Sequence, residues 1–429
     1  FSTVLDYYTG IYIHSSRGKR RRFLLVLSIA GNLSVLFVFK YFNFFAAELQ
    51  GLLHIFSIPA HPVFLNVILP VGISFYTFQT MSYTIDIYFK RLVPTRHFPD
   101  FALFVAFFPQ LIAGPIERAG RLLPQIQNPR TISRQQFIEG CHLIVWGLFQ
   151  KVFVADNLAR LVDPVFSGQN SYNGAEVLIA VYAFAFQIFC DFAGYSNMAR
   201  GLAKCMGFEL MVNFNLPYIA SNPGQFWNRW HISLSRWFRD YVYIPLGGNR
   251  RGLSRTLINV LITMLLAGLW HGAAWTFIIW GLFHGVLLMI YNLFKRFDFH
   301  ILSSESRPEG RFFRLFKTVL FFHVLCSGWL IFRADSVSQV IEMFHEIVFS
   351  FNVNSGVYSM IGYLVYFTSF LLLIQFIQYR SKDLMVITRL PVHAQTLFYV
   401  SMVCLGMYVL CLGENACIGG GSAFIYFQF

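Results

Sequence analysis

Charge is what this sequence lacks. Only 12% of its 429 residues are Asp, Glu, Lys or Arg, against about 25% in soluble domains. Residues 256–294 carry no charged side chain at all. Further uncharged stretches occupy 23–39, 49–85, 101–116, 177–190, 347–379 and 390–413. A membrane crossing needs about 20 mostly apolar residues, so a soluble domain is excluded. The longer stretches hold a hairpin, or a helix with a re-entrant piece. The chain reads as an all-α polytopic membrane protein with about nine to eleven transmembrane helices. No long polar linker interrupts it, so residues 1–429 are expected to form one integral-membrane domain. It has no signal peptide and no initiator Met, and an N-terminal span or two is expected to be missing.

Other absences narrow the chemistry. The seven cysteines are odd in number, form no CxxC pair and mostly sit in apolar runs, so they read as small buried hydrophobes rather than ligands or disulfides. HExxH, P-loop and GxSxG motifs are absent, and no metal site is expected. Acidic residues are few, giving a net charge of +13. The excess sits in short clusters beside apolar runs, such as RGKRRR at 17–22. This placement fits the positive-inside rule and anionic headgroups rather than nucleic acid.

What is present is concentrated in two segments. Residues 226–240 read FWNRWHISLSRWFRD, too charged for lipid and too aromatic for an ordinary loop. Residues 269–272 read LWHG inside the longest uncharged stretch. An ionisable group at such a position is a functional-site hypothesis. His271 can take a proton near neutral pH and so could act as a general base, with Gly268 and Gly272 leaving room for a substrate. A histidine bonded between helices as structural glue is the alternative. A short amphipathic or re-entrant helix is expected over 223–240, capped by Ser221 or Asn222 with Pro223 at its first position. On it Trp227, Trp230, His231 and Leu234 would share one face. That face either lies in the interface or lines a polar cavity whose arginines hold phosphate or carboxylate groups. Gly247 and Gly248 would turn the chain after it. Asp191, in an apolar helix, needs a partner. Arg200, Asn197 or an arginine of 226–251 would serve. His284 reads as a packing residue.

QFWNRWHISLSRWFRDYVYIPLGGNR (225–250) together with LWHG resembles the signature of membrane-bound O-acyltransferases. FPQLIAGPIER (108–118), FQIFCDFAGYSNMARGLA (186–203) and NFNLPYIASNPGQFW (213–227) resemble the bacterial alginate O-acetyltransferase branch, and more loosely its teichoic-acid D-alanyl-transfer cousins. The resemblance covers about 64–295. It implies transmembrane helices around a central funnel or tunnel lined by short horizontal or re-entrant helices. It also implies acyl transfer to a hydroxyl, with His271 as catalytic base and His231 as the second histidine of the cavity. Trp230, Asn228, Arg229, Arg236, Arg239, Asp240 and Asp191 are the expected substrate- or donor-binding set. No bound cofactor is implied. The donor would be a cytoplasmic thioester, acetyl-CoA or an acyl carrier protein. The acetyl group would cross the bacterial inner membrane to an extracytoplasmic acetyltransferase partner that modifies a polysaccharide such as alginate. D-alanyl transfer to teichoic acid, a transporter or lipid-linked-sugar flippase, and a non-catalytic scaffold are the competing readings. The lack of internal repeats weighs against a transporter.

Overall fold

The computed structural model describes all residues except 60, 62, 68–69, 71, 112–113, 169–170, 297–309 and 413–429. Among the described residues every regular element is a helix. Seven helical segments are long and apolar enough to cross a membrane: Gly18–Ile55, Arg134–Phe166, Gly174–Cys205, Leu253–His271, Trp275–Arg296, Phe312–Arg333 and Ser355–Ser381. The expected nine to eleven include apolar stretches that form shorter helices, Ile73–Tyr88, Phe98–Leu111 and Val392–Met407. Prolines at 59, 62, 70, 109 and 391 flank or interrupt these stretches, and proline cannot supply the backbone donor a continuous helix needs.

The Gly174–Cys205 helix is the centre of the fold. It starts with a capping box. The Asn173 side chain accepts from Ala175 N (2.9 Å) and Glu176 N (3.3 Å), and Glu176 accepts from Asn173 N (3.0 Å). Its stretch 177–190 carries no charge, which suits a helix surrounded by others, and most of the helix is buried. Small residues let it approach the Arg134–Leu148 helix closely. A Cβ added at Gly194 would lie 2.7 Å from the Gly147 carbonyl oxygen, and one at Gly201 would lie 2.6 Å from that of Gly140. Such small-residue contacts are how helices associate where lipid removes the hydrophobic drive. A Gly194→Val variant is therefore expected to lose about 1–3 kcal/mol through overpacking. The midpoint of thermal unfolding in detergent would fall, and an unchanged midpoint would show that this crossing tolerates a side chain.

The Leu253–His271 and Trp275–Arg296 helices form a hairpin whose break falls at 272–274. The glycines at the break do not leave open space. The position a Gly268 Cβ would occupy is 2.2 Å from the Phe277 carbonyl oxygen, and that of Gly272 is 2.1 Å from the Phe277 ring. They serve helix contact, because only three residues separate the end of the first helix from the start of the returning one.

Candidate active site

The segment at 213–252 folds as several short pieces rather than one helix. Asn222 caps Pro223–Trp227, its side chain accepting from Gln225 N at 2.9 Å. The helix then stops, and His231 adopts a left-handed conformation (φ 40°) before Ile232–Phe238 begins. Non-glycine residues rarely occupy that region, and they cluster at functional sites when they do. The break defeats the single helical face expected for Trp227, Trp230, His231 and Leu234. Trp230 and His231 turn into the protein, while Asn228 and Arg236 face outward. A π-helical turn, Arg239–Tyr243, follows, and the chain reverses at Gly247 and Gly248 with φ of 115° and 55°.

His231 is fully buried. Its Nδ1 lies 3.1 Å from Asn213 Oδ1, which also accepts from Ser233 Oγ at 3.0 Å and Ser233 N at 3.3 Å. The Phe192 ring stands edge-on at 4.6 Å and Phe75 stacks at 6.2 Å. Asn213 thus organises the strained turn from the preceding segment. Asn213→Ala is expected to destabilise the protein by about 1–3 kcal/mol by leaving buried polar groups unpaired, read as a lower unfolding midpoint. Full stability would remove Asn213 from this role.

His271 ends the Leu253–His271 helix and is 5% exposed. Three aromatic rings stand nearly perpendicular to its imidazole: Trp270 at 5.0 Å, Trp280 at 5.0 Å and Phe332 at 5.3 Å. Trp270 also lies 5.9 Å from the His231 ring, so this indole contacts both histidines. His271 lines a largely apolar cavity of about 180 Å³. Trp227, Ser235, Arg239, Tyr243 and Thr263 contribute to the same wall. The cavity offers an acyl chain apolar contacts, and its polar groups are few and placed, as in small-molecule sites.

The expected binding set divides. Arg239 reaches the cavity, and its Nε donates to Asp240 Oδ1 at 2.9 Å. Asp240 also pairs with Arg118 at 3.4 Å. Arg229 donates to the Asn215 carbonyl at 3.0 Å, fixing the local turn. Trp230 packs between Phe226 (5.6 Å) and Trp329 (4.7 Å) in the core. Asn228 and Arg236 are exposed and do not border the cavity. Asp191 has a partner outside the expected set. It pairs with Lys151 Nζ at 2.6 Å, and Lys151 also reaches Asp156 at 2.7 Å. Lys151 sits in the π-helical stretch Phe149–Ala155, and Arg200 donates to Asn197 instead (3.2 Å). His284 stacks on Phe226 at 6.1 Å and meets Trp280 at 4.7 Å, a packing position.

Ser235, Tyr243 and Asn213 were not singled out by the sequence, because contacts between segments apart in the chain bring them to the site. Glu117, in GPIER, accepts the backbone N–H of Met211, joining two segments far apart in the chain. Burial pushes its carboxyl up from the ordinary range, opposed by the Met211 bond and by Arg121. Among the described residues no group of three or more His, Cys, Asp or Glu could hold a metal ion.

Residues 88–300 match the membrane-bound O-acyltransferase family. The chain is 43% identical over 351 residues to a probable alginate O-acetylase, AlgI, of Pseudomonas aeruginosa, covering 81% of this chain and 65% of that protein. It is 34% identical over 376 residues to a peptidoglycan O-acetyltransferase of Helicobacter pylori (81% and 69%). It is 32% identical over 289 residues to a teichoic acid D-alanyltransferase of Bacillus subtilis (64% and 71%). The chain spans about two thirds of the length of these relatives. With seven apolar helices among the described residues and a cavity bordered by His271 inside the matched region, this integral membrane protein belongs to the membrane-bound O-acyltransferase family.

Proposed function

We propose that this protein transfers an acetyl group from a cytoplasmic thioester donor for O-acetylation of a cell-surface polysaccharide such as alginate. The observation that carries this reading is the placement of His271. It ends a spanning helix, is held by three aromatic rings and faces the cavity within the family-matched residues. Its imidazole takes the proton of an acceptor hydroxyl, and the hydroxyl oxygen attacks the thioester carbonyl carbon. The tetrahedral intermediate collapses with cleavage of the C–S bond, and the departing sulfur takes the proton back from the imidazolium. The donor is a phosphopantetheine thioester, either acetyl-CoA or an acyl carrier protein. Arg239, at the cavity wall, is suited to a phosphate group on that arm. The acceptor is the polysaccharide itself or an extracytoplasmic acetyltransferase partner that completes the transfer. A bacterial inner-membrane location follows from this donor and acceptor.

The acetyl reading is preferred over D-alanyl transfer because the identity to the alginate acetylase is 43%, against 32% to the D-alanyltransferase. The test is a deletion strain with and without the gene for the full-length protein. Base-labile acetate and esterified D-alanine would be measured on its surface polymers. Restoration of acetate alone supports the proposal. Restoration of D-alanine alone replaces it with the cousin activity, and restoration of neither overturns acyl transfer.

A further inference from the structure

The Gly18–Ile55 segment looks like outer wall, yet it reaches the centre of the site. A π-helical turn, Phe37–Tyr41, interrupts it. The extra residue in such a turn changes which side chains face inward, and these bulges occur often at functional sites. Lys40 and Tyr41 both point at the end of the helix that carries His271. Lys40 Nζ donates to the carbonyl oxygens of Trp270 (3.0 Å) and His271 (2.7 Å). Tyr41 Oη donates to that of Leu269 (2.8 Å). On the far side of the break, Glu48 accepts from Trp275 Nε1 at 2.9 Å.

A helix leaves its last four carbonyls without intrahelical partners. Leu253–His271 has no left-handed cap to take them, because Gly272 is extended (φ −166°, ψ 161°). At membrane depth unpaired carbonyls are costly. Here one N-terminal segment satisfies the carbonyls of Leu269, Trp270 and His271, the turn that carries the imidazole. The ammonium also offsets the negative end of the helix dipole beside that ring.

We propose that Lys40, assisted by Tyr41, is a positioning residue for His271. It clamps the final turn of the Leu253–His271 helix so that the imidazole stays aimed into the cavity. This rests on the reading of His271 as the base, and Lys40 itself touches no substrate. It places part of the active-site machinery outside the residues matched by the family, 88–300.

The test expresses the full-length protein in its deletion strain as wild type, Lys40→Met, Lys40→Arg, Tyr41→Phe and His271→Ala, at membrane levels matched by immunoblot. Ester-linked acetate on surface polysaccharide is the readout. Lys40→Met is expected to lower acetylation about 10- to 100-fold, the scale of a small misplacement of a reacting group. Lys40→Arg, which keeps a cationic donor, is expected to restore it to within about threefold. Tyr41→Phe, which removes one of three bonds, is expected to lower it about two- to fivefold. Wild-type acetylation by Lys40→Met, or an arginine variant as inactive as the methionine one, overturns the clamp. If Lys40→Met does not accumulate, Tyr41→Phe decides: reduced acetylation at normal level supports the clamp, and unchanged acetylation overturns it. His271→Ala separates the two claims. If it remains active, the reading of His271 has failed. If it is inactive while Lys40→Met is fully active, only the clamp has failed.

Discussion

His271→Ala is expected to lower polysaccharide O-acetylation by about 10²- to 10⁴-fold, the usual contribution of a general base, at an unchanged protein level in the membrane. The argument is geometric. His271 borders the cavity and is otherwise enclosed by the Trp270, Trp280 and Phe332 rings. Removing the imidazole leaves that apolar cage without a group at the same place to accept the acceptor's proton. His231 does not substitute for it. It is fully buried against Asn213, Phe75 and Phe192 and does not border the cavity. His231→Ala is expected to act through the strained turn, lowering the unfolding midpoint as well as acetylation. Parallel measurement of acetate and of thermal stability separates the two histidines. Equal acetylation by wild type and His271→Ala, at equal protein level, would remove His271 from catalysis and shift weight to a scaffold or transporter.

The largest effect on stability is expected at Lys151. Its ammonium bridges Asp191 (2.6 Å) and Asp156 (2.7 Å), with side-chain exposures of 9% for Lys151 and 2% for Asp191. Taking one partner from a buried pair leaves an uncompensated charge, which typically costs about 3–5 kcal/mol. Replacing both partners by apolar groups of similar size is often neutral, because the desolvation penalty disappears with the charges. Lys151→Met alone should therefore sharply lower the unfolding midpoint in detergent, and Lys151→Met with Asp191→Leu should recover much of it. The recovery is incomplete because Asp156 also loses its partner. A double variant no more stable than the single one would show that the pair is not the source of the loss.

Several features were legible in the residues. The uncharged stretches 23–39, 177–190, 256–294 and 347–379 marked spans, since lipid admits few charges, whereas 49–85, 101–116 and 390–413 gave shorter helices. Asn222 and Pro223 marked a helix start, and Gly247 and Gly248 marked a reversal, because these depend on local backbone chemistry. His271 stood out as an ionisable group in bilayer-grade sequence, and it does line the cavity. Lys40 carries the same signal, as a lone cation at the end of the uncharged run 23–39, but was not singled out. The site residues that escaped sequence reading depend on contacts distant along the chain. Helical spacing put Trp230 and His231 on a common face with Leu234, but a tertiary anchor at Asn213 breaks the helix there. Periodicity assumes continuous α-helix, and the three π-helical turns at Phe37–Tyr41, Phe149–Ala155 and Arg239–Tyr243 violate it at Lys40, Lys151 and Arg239.

By itself the sequence determined that this is an α-helical membrane protein and that one ionisable group, His271, stands where such groups are costly. Those properties follow from composition and local pattern, which need no partner. Tertiary structure alone decided which histidine meets the cavity, that Asp191 pairs with Lys151 and that Lys40 reaches the end of the histidine-bearing helix. Each of those choices joins residues from different helices. A buried charge or carbonyl must find a partner, but local sequence does not say which distant segment will provide it.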